Sequence, residues 1–200
     1  MTKIRICVDM DDVLADLMPE WVKLYRLKTN DKRELNITEW EIHKSLPAMP
    51  KNEVYDLLNE EGLFLNCKPI EGAINGLTKV ISDDRFKLII LTSAASKYAF
   101  SEKLKWMKNY FGSGILPHVF ASSSSKSKNM LSDCYDVIID DSGHVMKSLK
   151  DSDVVKILFD RPHNKELPED LYDYRVYSWP EIIDKLEKIW TGKKIPQSMT

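Results

Sequence analysis

The stretch KIRICVDMDDVLAD, residues 3–16, decides how this chain folds. Its first half, KIRICV at 3–8, is a short apolar run rich in β-branched residues, which is typical of a buried strand. The run ends abruptly at Asp9, Asp11 and Asp12, where a strand would give way to a loop. Ligands of open α/β sheets bind just beyond the carboxyl ends of the strands. The stretch therefore predicts a central strand with an acidic site at its end.

Outward from this strand, the chain alternates between apolar runs and helical patterns. Further strands are predicted at 86–91 (FKLIIL), 118–121 (HVFA), 136–139 (DVII) and 154–159 (VVKILF). Helical patterns lie at 72–81, 97–111, 144–150 and 180–190. Strands that alternate with helices imply βαβ units and a parallel sheet. We therefore predict an α/β fold with a Rossmann-like, doubly wound parallel sheet.

The segment that follows the first strand differs in composition and in its apolar pattern from the rest of the chain. Residues 13–30 have the apolar spacing of an amphipathic helix, in which Pro19 predicts a kink or a break. A second helix is predicted at 52–61, in a region rich in Glu, Asn and Lys. We interpret this segment as a small helical cap inserted into the core. The predicted parts are a cap at 17–70, a tail at 191–200 and a core domain made of 1–16 and 71–190.

The composition excludes several classes of protein. The chain has 200 residues, of which 43% are hydrophobic and 30% charged, as in globular rather than disordered proteins. The net charge is -2, so neither duplex nucleic acid nor an anionic membrane is expected as a main partner. The cysteines are few and widely spaced, and no signal-peptide core or membrane-spanning run is visible, so we expect a cytoplasmic protein. A homodimer is an oligomeric state that the sequence leaves open.

Polar residues follow each of the other predicted strands, at the edge where the site is expected. They are Thr92 and Ser93 after the strand at 86–91, Lys126 and Lys128 after 118–121, Asp140 and Asp141 after 136–139, and Asp160, Arg161, His163 and Asn164 after 154–159. We expect all but the last set to converge with Asp9 and Asp11. Neighbouring carboxylates suppress one another's ionisation, so such a cluster needs a cation. All-oxygen ligands favour a hard cation, with Mg²⁺ as the default.

Asp9 and Asp11 are the most informative pair of carboxylates. They are two residues apart on an extended segment, so their side chains could point the same way. One could attack phosphorus as a nucleophile, while the other protonates the leaving oxygen and later deprotonates water. A metal would offset the repulsion between two anions, and Thr92 with a lysine would bind the equatorial phosphate oxygens.

Each of these groups also has an ordinary structural role. Such roles are helix capping for Asp12, Asp16 and Thr92-Ser93, a turn for Asp140-Asp141, and a solvated surface charge for Lys126 or Lys128. Capping needs one carboxylate and does not account for both Asp9 and Asp11. The order of the sets, each after its own strand, favours catalysis.

Several motifs resemble those of one known family. DMDDVLAD at 9–16 resembles the first motif of the haloacid dehalogenase superfamily, and more narrowly the Asp-Met-Asp-Gly-Val-Leu-Ala-Asp of its 5'(3')-deoxyribonucleotidase branch. Further similar segments are LTS at 91–93 (second motif), IIDD at 138–141 (fourth motif), FLNCKPIEGA at 64–73, LFDRPHN at 158–164 and SW at 178–179. The resemblance covers roughly residues 3–185 and implies a haloacid dehalogenase-like core with a cap after the first strand.

The resemblance also implies roles for the site residues. Asp9 would be the nucleophile and a metal ligand, and Asp11 would be the general acid/base, with its backbone carbonyl on Mg²⁺. Thr92, beside Ser93, would hold the transferring phosphoryl group. Asp141 would complete the metal site, with Asp140 supporting it or the lysine. The cap would shield the phosphate and recognise the nucleoside. The side chains that could pack against a base are Leu17, Trp21, Trp40 and Phe64. The alternative role for each of them is ordinary packing in the core of the cap.

The sequence departs from the family pattern at Asp12 and leaves the third-motif lysine ambiguous. Asp12 stands where the family usually has Gly, which adds negative charge beside an anionic substrate unless its side chain points away. Lys126 follows its strand as the pattern prefers, whereas Lys128 is closer to the usual spacing before the Asp-Asp pair. We favour Lys128.

These observations predict a Mg²⁺-dependent phosphomonoesterase. It would hydrolyse nucleoside monophosphates to nucleoside and phosphate through an aspartyl-phosphate, and the resemblance implies a preference for deoxynucleotides. One alternative is a phosphatase of another small phosphomonoester, such as a sugar phosphate. Another is a non-catalytic protein, either a nucleotide-binding protein or a phospho-acceptor like a receiver domain. No lone Asp follows the strand at 86–91, where a receiver domain would place its acceptor.

Overall fold

The computed structural model describes residues 2–122 and 125–192, except for the side chains of residues 125–127. The strands are β1 (Ile4–Val8), β2 (Ala15–Asp16), β3 (Lys68–Pro69), β4 (Phe86–Ser93), β5 (Val119–Ser122), β6 (Val137–Asp140), β7 (Val155–Phe159) and β8 (Tyr174–Val176). The α-helices are α1 (Leu17–Thr29), α2 (Lys51–Asp56), α3 (Ala73–Ser82), α4 (Ala99–Phe111), α5 (Gly143–Ser148) and α6 (Trp179–Gly192). Short 3-10 helices span Ile42–Ser45, Leu57–Asn59, Ser113–His118, Ser125–Cys134, Pro162–Asn164 and Glu169–Leu171.

Six strands form one parallel sheet in the order β5-β4-β1-β6-β7-β8. β1 lies between β4 and β6, with Val8 opposite both Ile90 and Ile139. Every strand pair in this sheet is parallel. The carboxyl ends of the strands therefore meet at one edge, and the predicted α/β fold with a parallel sheet is confirmed.

β1 is apolar except at Arg5, and both faces of the sheet are covered where it runs. Ile4, Ile6 and Val8 belong to a hydrophobic cluster that includes residues of α3, α4 and α6. Cys7 points to the opposite face and packs in a second cluster with residues of β6 and α5. Parallel sheets covered on both faces have this pattern, and strands of half-buried sheets do not.

The segment between β2 and β3 leaves the sheet and returns to it. These two strands pair antiparallel, with Ala15 opposite Pro69, so the segment enters and exits at adjacent points. We call residues 17–70 the cap segment. Its buried residues belong to the same hydrophobic cluster as one face of the sheet. The proposed division into a core and a cap at these residues stays a prediction.

The structure corrects several predicted elements. The helix expected from residue 13 begins at Leu17, because residues 13–14 form a turn and 15–16 form β2. Pro19 lies in the first turn of α1, where its missing N–H has no helical partner to lose, so no break occurs. The helix expected at 52–61 is shorter and continues as a 3-10 turn.

Two further features were not anticipated at the end of the chain. The edge strand β8 was not predicted from its short, partly exposed sequence. α6 continues to Gly192, past the helix end predicted at residue 190, and residues 193–200 lie outside the described part, so the tail at 191–200 stays a prediction. Within that part, no helix combines the length and the apolar character needed to cross a membrane.

Candidate active site

Carboxylates from β1 and β6 meet at the carboxyl edge of the sheet. The backbone N–H of Asp9 donates to the carbonyl of Ile139 at 2.9 Å, which places the end of β1 beside the end of β6. Asp9, Asp140 and Asp141 each offer an oxygen, and these oxygens lie within 4.8 Å of one another. Residues that are far apart in sequence therefore form one acidic cluster.

Lys128 lies inside this cluster and is 2% exposed. Its Nζ contacts Asp9 Oδ1 at 2.9 Å and Asp140 Oδ2 at 2.7 Å. Burial alone would lower the pKa of Lys128, but the two carboxylates outweigh it and the net shift is upward. Lys128 is therefore a permanently charged ammonium that bridges the ends of β1 and β6.

The two adjacent carboxyls after β6 have raised pKa values. Burial, opposed by Lys128, raises the pKa of Asp140 to about 7. Burial and repulsion from Asp9 raise the pKa of Asp141 to about 8. A divalent cation would remove the repulsion and favour the ionised carboxylates. Asp9, Asp140 and Asp141 are thus a donor set that fits a hard cation such as Mg²⁺.

Asp12 occupies a special backbone position in the turn after β1. Its φ of 56° lies in the left-handed region, which Asp tolerates better than most residues do. Its buried carboxylate accepts a hydrogen bond from the N–H of Leu17, the first residue of α1, at 3.1 Å. Arg161 Nη2 lies 3.3 Å from the same carboxylate, and Arg161 Nε donates to the Asp12 carbonyl at 2.9 Å. The extra negative charge is therefore paired by Arg161.

Asp11 is held by a buried lysine that the sequence did not single out. Lys103 Nζ lies 2.5 Å from Asp11 Oδ2, 2.9 Å from Thr92 Oγ1 and 2.6 Å from the carbonyl of Ser93. Burial raises the pKa of Asp11, and Lys103 opposes that shift. A signal for Lys103 exists in its spacing, because it falls on the same apolar stripe of α4 as Ala99, Trp106 and Met107.

The loop after β7 also reaches the acidic cluster, although we had not expected its residues to converge there. His163 Nε2 lies 2.7 Å from Asp141 Oδ2, and burial lowers the pKa of His163. Asn164 Nδ2 donates to the carbonyl of Asp141 at 2.9 Å. The signal was the position of this loop after a strand, since β7 is the neighbour of β6 in the sheet.

A cavity of about 380 Å³ lies between these groups and the cap segment. Its polar floor is formed by Asp9, Asp11, Lys128, Asp141 and His163, together with Asp12, Ser93 and Ser142. Its walls are largely apolar and include Leu17, Met18, Trp21, Trp40, Tyr55 and Leu58. The Trp40 ring stands edge-on to the rings of His163 and His144, with centroids 5.3 Å and 5.5 Å apart. An anionic group on the floor and a flat ring between the walls would both fit this arrangement.

The cavity gathers many of the residues singled out from the sequence. Those in its lining are Asp9, Asp11, Leu17, Trp21, Trp40, Ser93, Lys128 and Asp141. Among described residues, Thr92, Asp140 and Phe64 are buried behind or beside the cavity and do not line it. The Phe64 ring instead lies against Lys103, with Nζ 4.7 Å from the ring centroid. The side chain of Lys126 is outside the described part, and the assigned roles stay predictions.

Comparison with known proteins gives consistent matches over almost the whole chain. Residues 2–190 match a family model described as 5' nucleotidase, deoxy (pyrimidine), cytosolic type C protein. A 5'(3')-deoxyribonucleotidase of Bacillus subtilis (strain 168) is 34% identical over 184 residues, covering 90% of this chain and 97% of the relative. The human mitochondrial 5'(3')-deoxyribonucleotidase is 24% identical over 188 residues, covering 89% of this chain and 79% of the relative.

Solved structures share the fold at low sequence identity. A haloacid dehalogenase-like protein of unknown function from Agrobacterium tumefaciens superposes with a TM-score of 0.65 at 15% identity, over 94% of this chain and 100% of that one. A magnesium-bound haloacid dehalogenase-like hydrolase from Bacillus subtilis gives a TM-score of 0.63 at 14% identity, over 93% of this chain and 99% of that one. At this identity the likeness concerns the fold alone.

Proposed function

This chain belongs to the 5' nucleotidase, deoxy (pyrimidine), cytosolic type C family of the haloacid dehalogenase superfamily, and we propose that it hydrolyses deoxynucleoside monophosphates to nucleosides and phosphate. The observation that carries this proposal is the shared cavity. Asp9 and Asp11 both open into it, with Lys128 on its floor and aromatic side chains on its walls. We further propose that the enzyme works in the cytoplasm on small-molecule nucleotides.

In the first step of the reaction, Asp9 is the nucleophile. The Met10 N–H and Lys128 Nζ both contact Asp9 Oδ1, at 2.8 Å and 2.9 Å, so we assign Oδ2 as the oxygen that attacks phosphorus. Attack forms the Asp9–phosphorus bond and breaks the bond between phosphorus and the nucleoside oxygen. The Lys128 ammonium, held between Asp9 and Asp140, lies where negative charge accumulates on the phosphoryl oxygens.

Asp11 is assigned both proton transfers, to the leaving nucleoside and from the attacking water. A nucleoside alkoxide is a poor leaving group, so its departure needs a proton from a positioned acid. Asp11 is suited to this because burial raises the pKa of its carboxyl. After the nucleoside leaves, Asp11 as carboxylate takes a proton from water, which attacks the aspartyl-phosphate and returns Asp9 to its starting form. Lys103 keeps Asp11 in place during both transfers.

The metal is assigned to the polar floor of the cavity and the nucleobase to its apolar walls. Asp9 and Asp141, supported by Asp140 and the Asp11 carbonyl, would hold Mg²⁺, which when bound neutralises charge between the anionic nucleophile and the anionic phosphate. The base would lie between the apolar side chains of the cap segment, which are Leu17, Trp21, Trp40, Tyr55 and Leu58. Flat, apolar walls suit a nucleobase better than a sugar phosphate, which would leave them uncovered.

A substrate panel tests this function. The panel contains deoxyribonucleoside and ribonucleoside monophosphates and sugar phosphates, with Mg²⁺ present, and phosphate release is measured. We expect the highest kcat/KM for deoxynucleotides, and Asp9→Asn should abolish turnover while circular dichroism shows an intact fold. Turnover of sugar phosphates alone would indicate another phosphatase. Stable phosphorylation of Asp9 by a small phosphodonor, with no turnover of any ester, would indicate a phospho-acceptor protein.

A further inference from the structure

Glu102 is a buried carboxylate of α4 that faces the outgoing end of the cap segment. It is 3% exposed. Its Oε1 accepts a hydrogen bond from the Gly62 N–H at 2.6 Å, and its Oε2 accepts from the N–H groups of Phe64 and Leu65 at 3.1 Å and 3.3 Å. One side chain of the core thus fixes three backbone groups of the cap segment.

The next residue of the same helix is Lys103, which connects this backbone to the reaction centre. Phe64, whose N–H is bound by Glu102, places its ring centroid 4.7 Å from Lys103 Nζ. On its other sides, Nζ contacts Asp11, Thr92 and the Ser93 carbonyl. These three contacts occupy all the protons of the ammonium group. The Phe64 ring packs against the same ammonium group as a further neighbour.

We propose that Glu102 is a positioning residue for proton donation by Asp11. It holds the backbone at 62–65 so that the Phe64 ring stays against Lys103, and the packed Lys103 in turn fixes the Asp11 carboxyl. This inference rests on the proposed function, because the step that Glu102 serves is the protonation of the leaving nucleoside by Asp11. Glu102 itself does not contact the substrate.

Simple tethering of the cap segment does not account for this carboxylate. Trp106, also on α4, already binds that segment, since its Nε1 donates to the Cys67 carbonyl at 2.7 Å. Burying a carboxylate carries a larger desolvation penalty than burying an indole N–H. A role for the position of Phe64 in the reaction explains why Glu102 provides a second, charged anchor next to Lys103.

The role predicts a loss that depends on the leaving group. A nucleoside leaves only with a proton, whereas p-nitrophenolate is weakly basic and leaves without one. The ratio kcat/KM reports the steps up to the departure of the leaving group, which include this proton transfer. A defect in the placement of Asp11 should therefore reduce kcat/KM for a deoxynucleotide and spare p-nitrophenyl phosphate.

The test variant is Glu102→Gln, which keeps the side-chain volume but turns an NH₂ group towards at least one backbone N–H. General acids contribute about 10²–10⁴-fold to rates, and a partial misplacement of Asp11 should lower kcat/KM for deoxyuridine 5'-monophosphate about tenfold. The value for p-nitrophenyl phosphate should change less than about twofold. The matched control is Trp106→Phe, which removes the other anchor and should affect both substrates to the same degree.

The possible results separate the claims. An equal loss on both substrates, no loss on either, or the same selective loss in Trp106→Phe would overturn the inference. If Glu102→Gln does not fold, Phe64→Leu replaces it, since it keeps the backbone bonds to Glu102 and removes the ring from Lys103. The same selective loss is expected there, and an equal loss would refute the role. If the wild-type protein is inactive on deoxynucleotides, the proposed function is refuted as well. If the wild-type protein is active and Glu102→Gln leaves kcat/KM unchanged, only this inference is refuted.

Discussion

Replacing Lys128 by Met should expose how strongly the acidic cluster depends on its internal cation. Methionine keeps most of the side-chain volume but removes the charge that lies 2.9 Å from Asp9 and 2.7 Å from Asp140. Removing one partner of a buried ion pair costs about 3–5 kcal/mol, because the other charge stays buried and unpaired. Here one ammonium serves two carboxylates, so we expect a loss of unfolding free energy of about 3–5 kcal/mol in metal-free protein at pH 8.5.

The loss should depend on pH with a definite sign. In the folded protein the pKa of Asp140 is already raised to about 7, well above its usual value. Without Lys128 the pKa of Asp140 would rise further, so the folded state would take up protons that the unfolded state does not bind. Stability gained by this uptake is present at low pH and disappears as the pH rises through the raised pKa. The destabilisation by Lys128→Met should therefore be smaller at pH 6 than at pH 8.5.

Urea unfolding followed by tryptophan fluorescence, with EDTA present, measures both effects. Adding Asp140→Asn to the Lys128→Met variant should recover part of the stability at pH 8.5, because it removes an uncompensated charge. The exposed pair of Lys150 and Asp170, at 3.4 Å, provides the matched control, and Lys150→Met should leave stability nearly unchanged. A loss that does not change with pH, or a double variant no more stable than Lys128→Met, would refute the reasoning.

The remaining predictions concern the metal, the base and the turn after β1. Because the pKa of Asp140 is raised to about 7 and that of Asp141 to about 8, stability without metal should fall from pH 6 to pH 8.5. Added Mg²⁺ should then raise Tm more at pH 8.5 than at pH 6 in scanning fluorimetry, and equal shifts would contradict the assignment. Trp40→Ala should raise KM for deoxynucleotides about tenfold with little change in kcat, since stacking on a base contributes about 1–3 kcal/mol; steady-state kinetics would show this. Asp12→Gly should be about 1 kcal/mol more stable than Asp12→Ala in urea unfolding, because only glycine adopts a φ of 56° without strain.

The sheet was predictable because its signal is local. The apolar run of β1 ends in carboxylates, and the runs of β4 and β6 end in polar residues in the same way. Parallel topology then brings these ends together without any knowledge of distant contacts. β8 has no such signal. It has only three residues, and because it lies at the edge of the sheet two of them are only partly buried, so its sequence contains no apolar run.

The supporting residues were not predictable by the same route. Glu102 and Lys103 form a charged pair in the middle of a helix, a pattern that usually indicates a solvated face. Their burial depends on contacts with Gly62, Phe64 and Asp11, which are distant in the sequence. The usable signal was their spacing, because Glu102 and Lys103 lie three and four residues after Ala99, on the apolar stripe that continues at Trp106 and Met107.

Charge pairing at the site explains which carboxylate most needs the metal. Lys103 pairs with Asp11, Arg161 pairs with Asp12, and Lys128 is shared by Asp9 and Asp140. Asp141 instead contacts His163, whose pKa is lowered by burial and which is therefore neutral near pH 7. Among the described residues, no lysine or arginine forms a salt bridge with Asp141, and burial together with repulsion from Asp9 raises the pKa of Asp141 to about 8. A divalent ion bound between Asp141 and Asp9 would supply positive charge where these two carboxylates repel each other, which is the physical reason to expect the metal there.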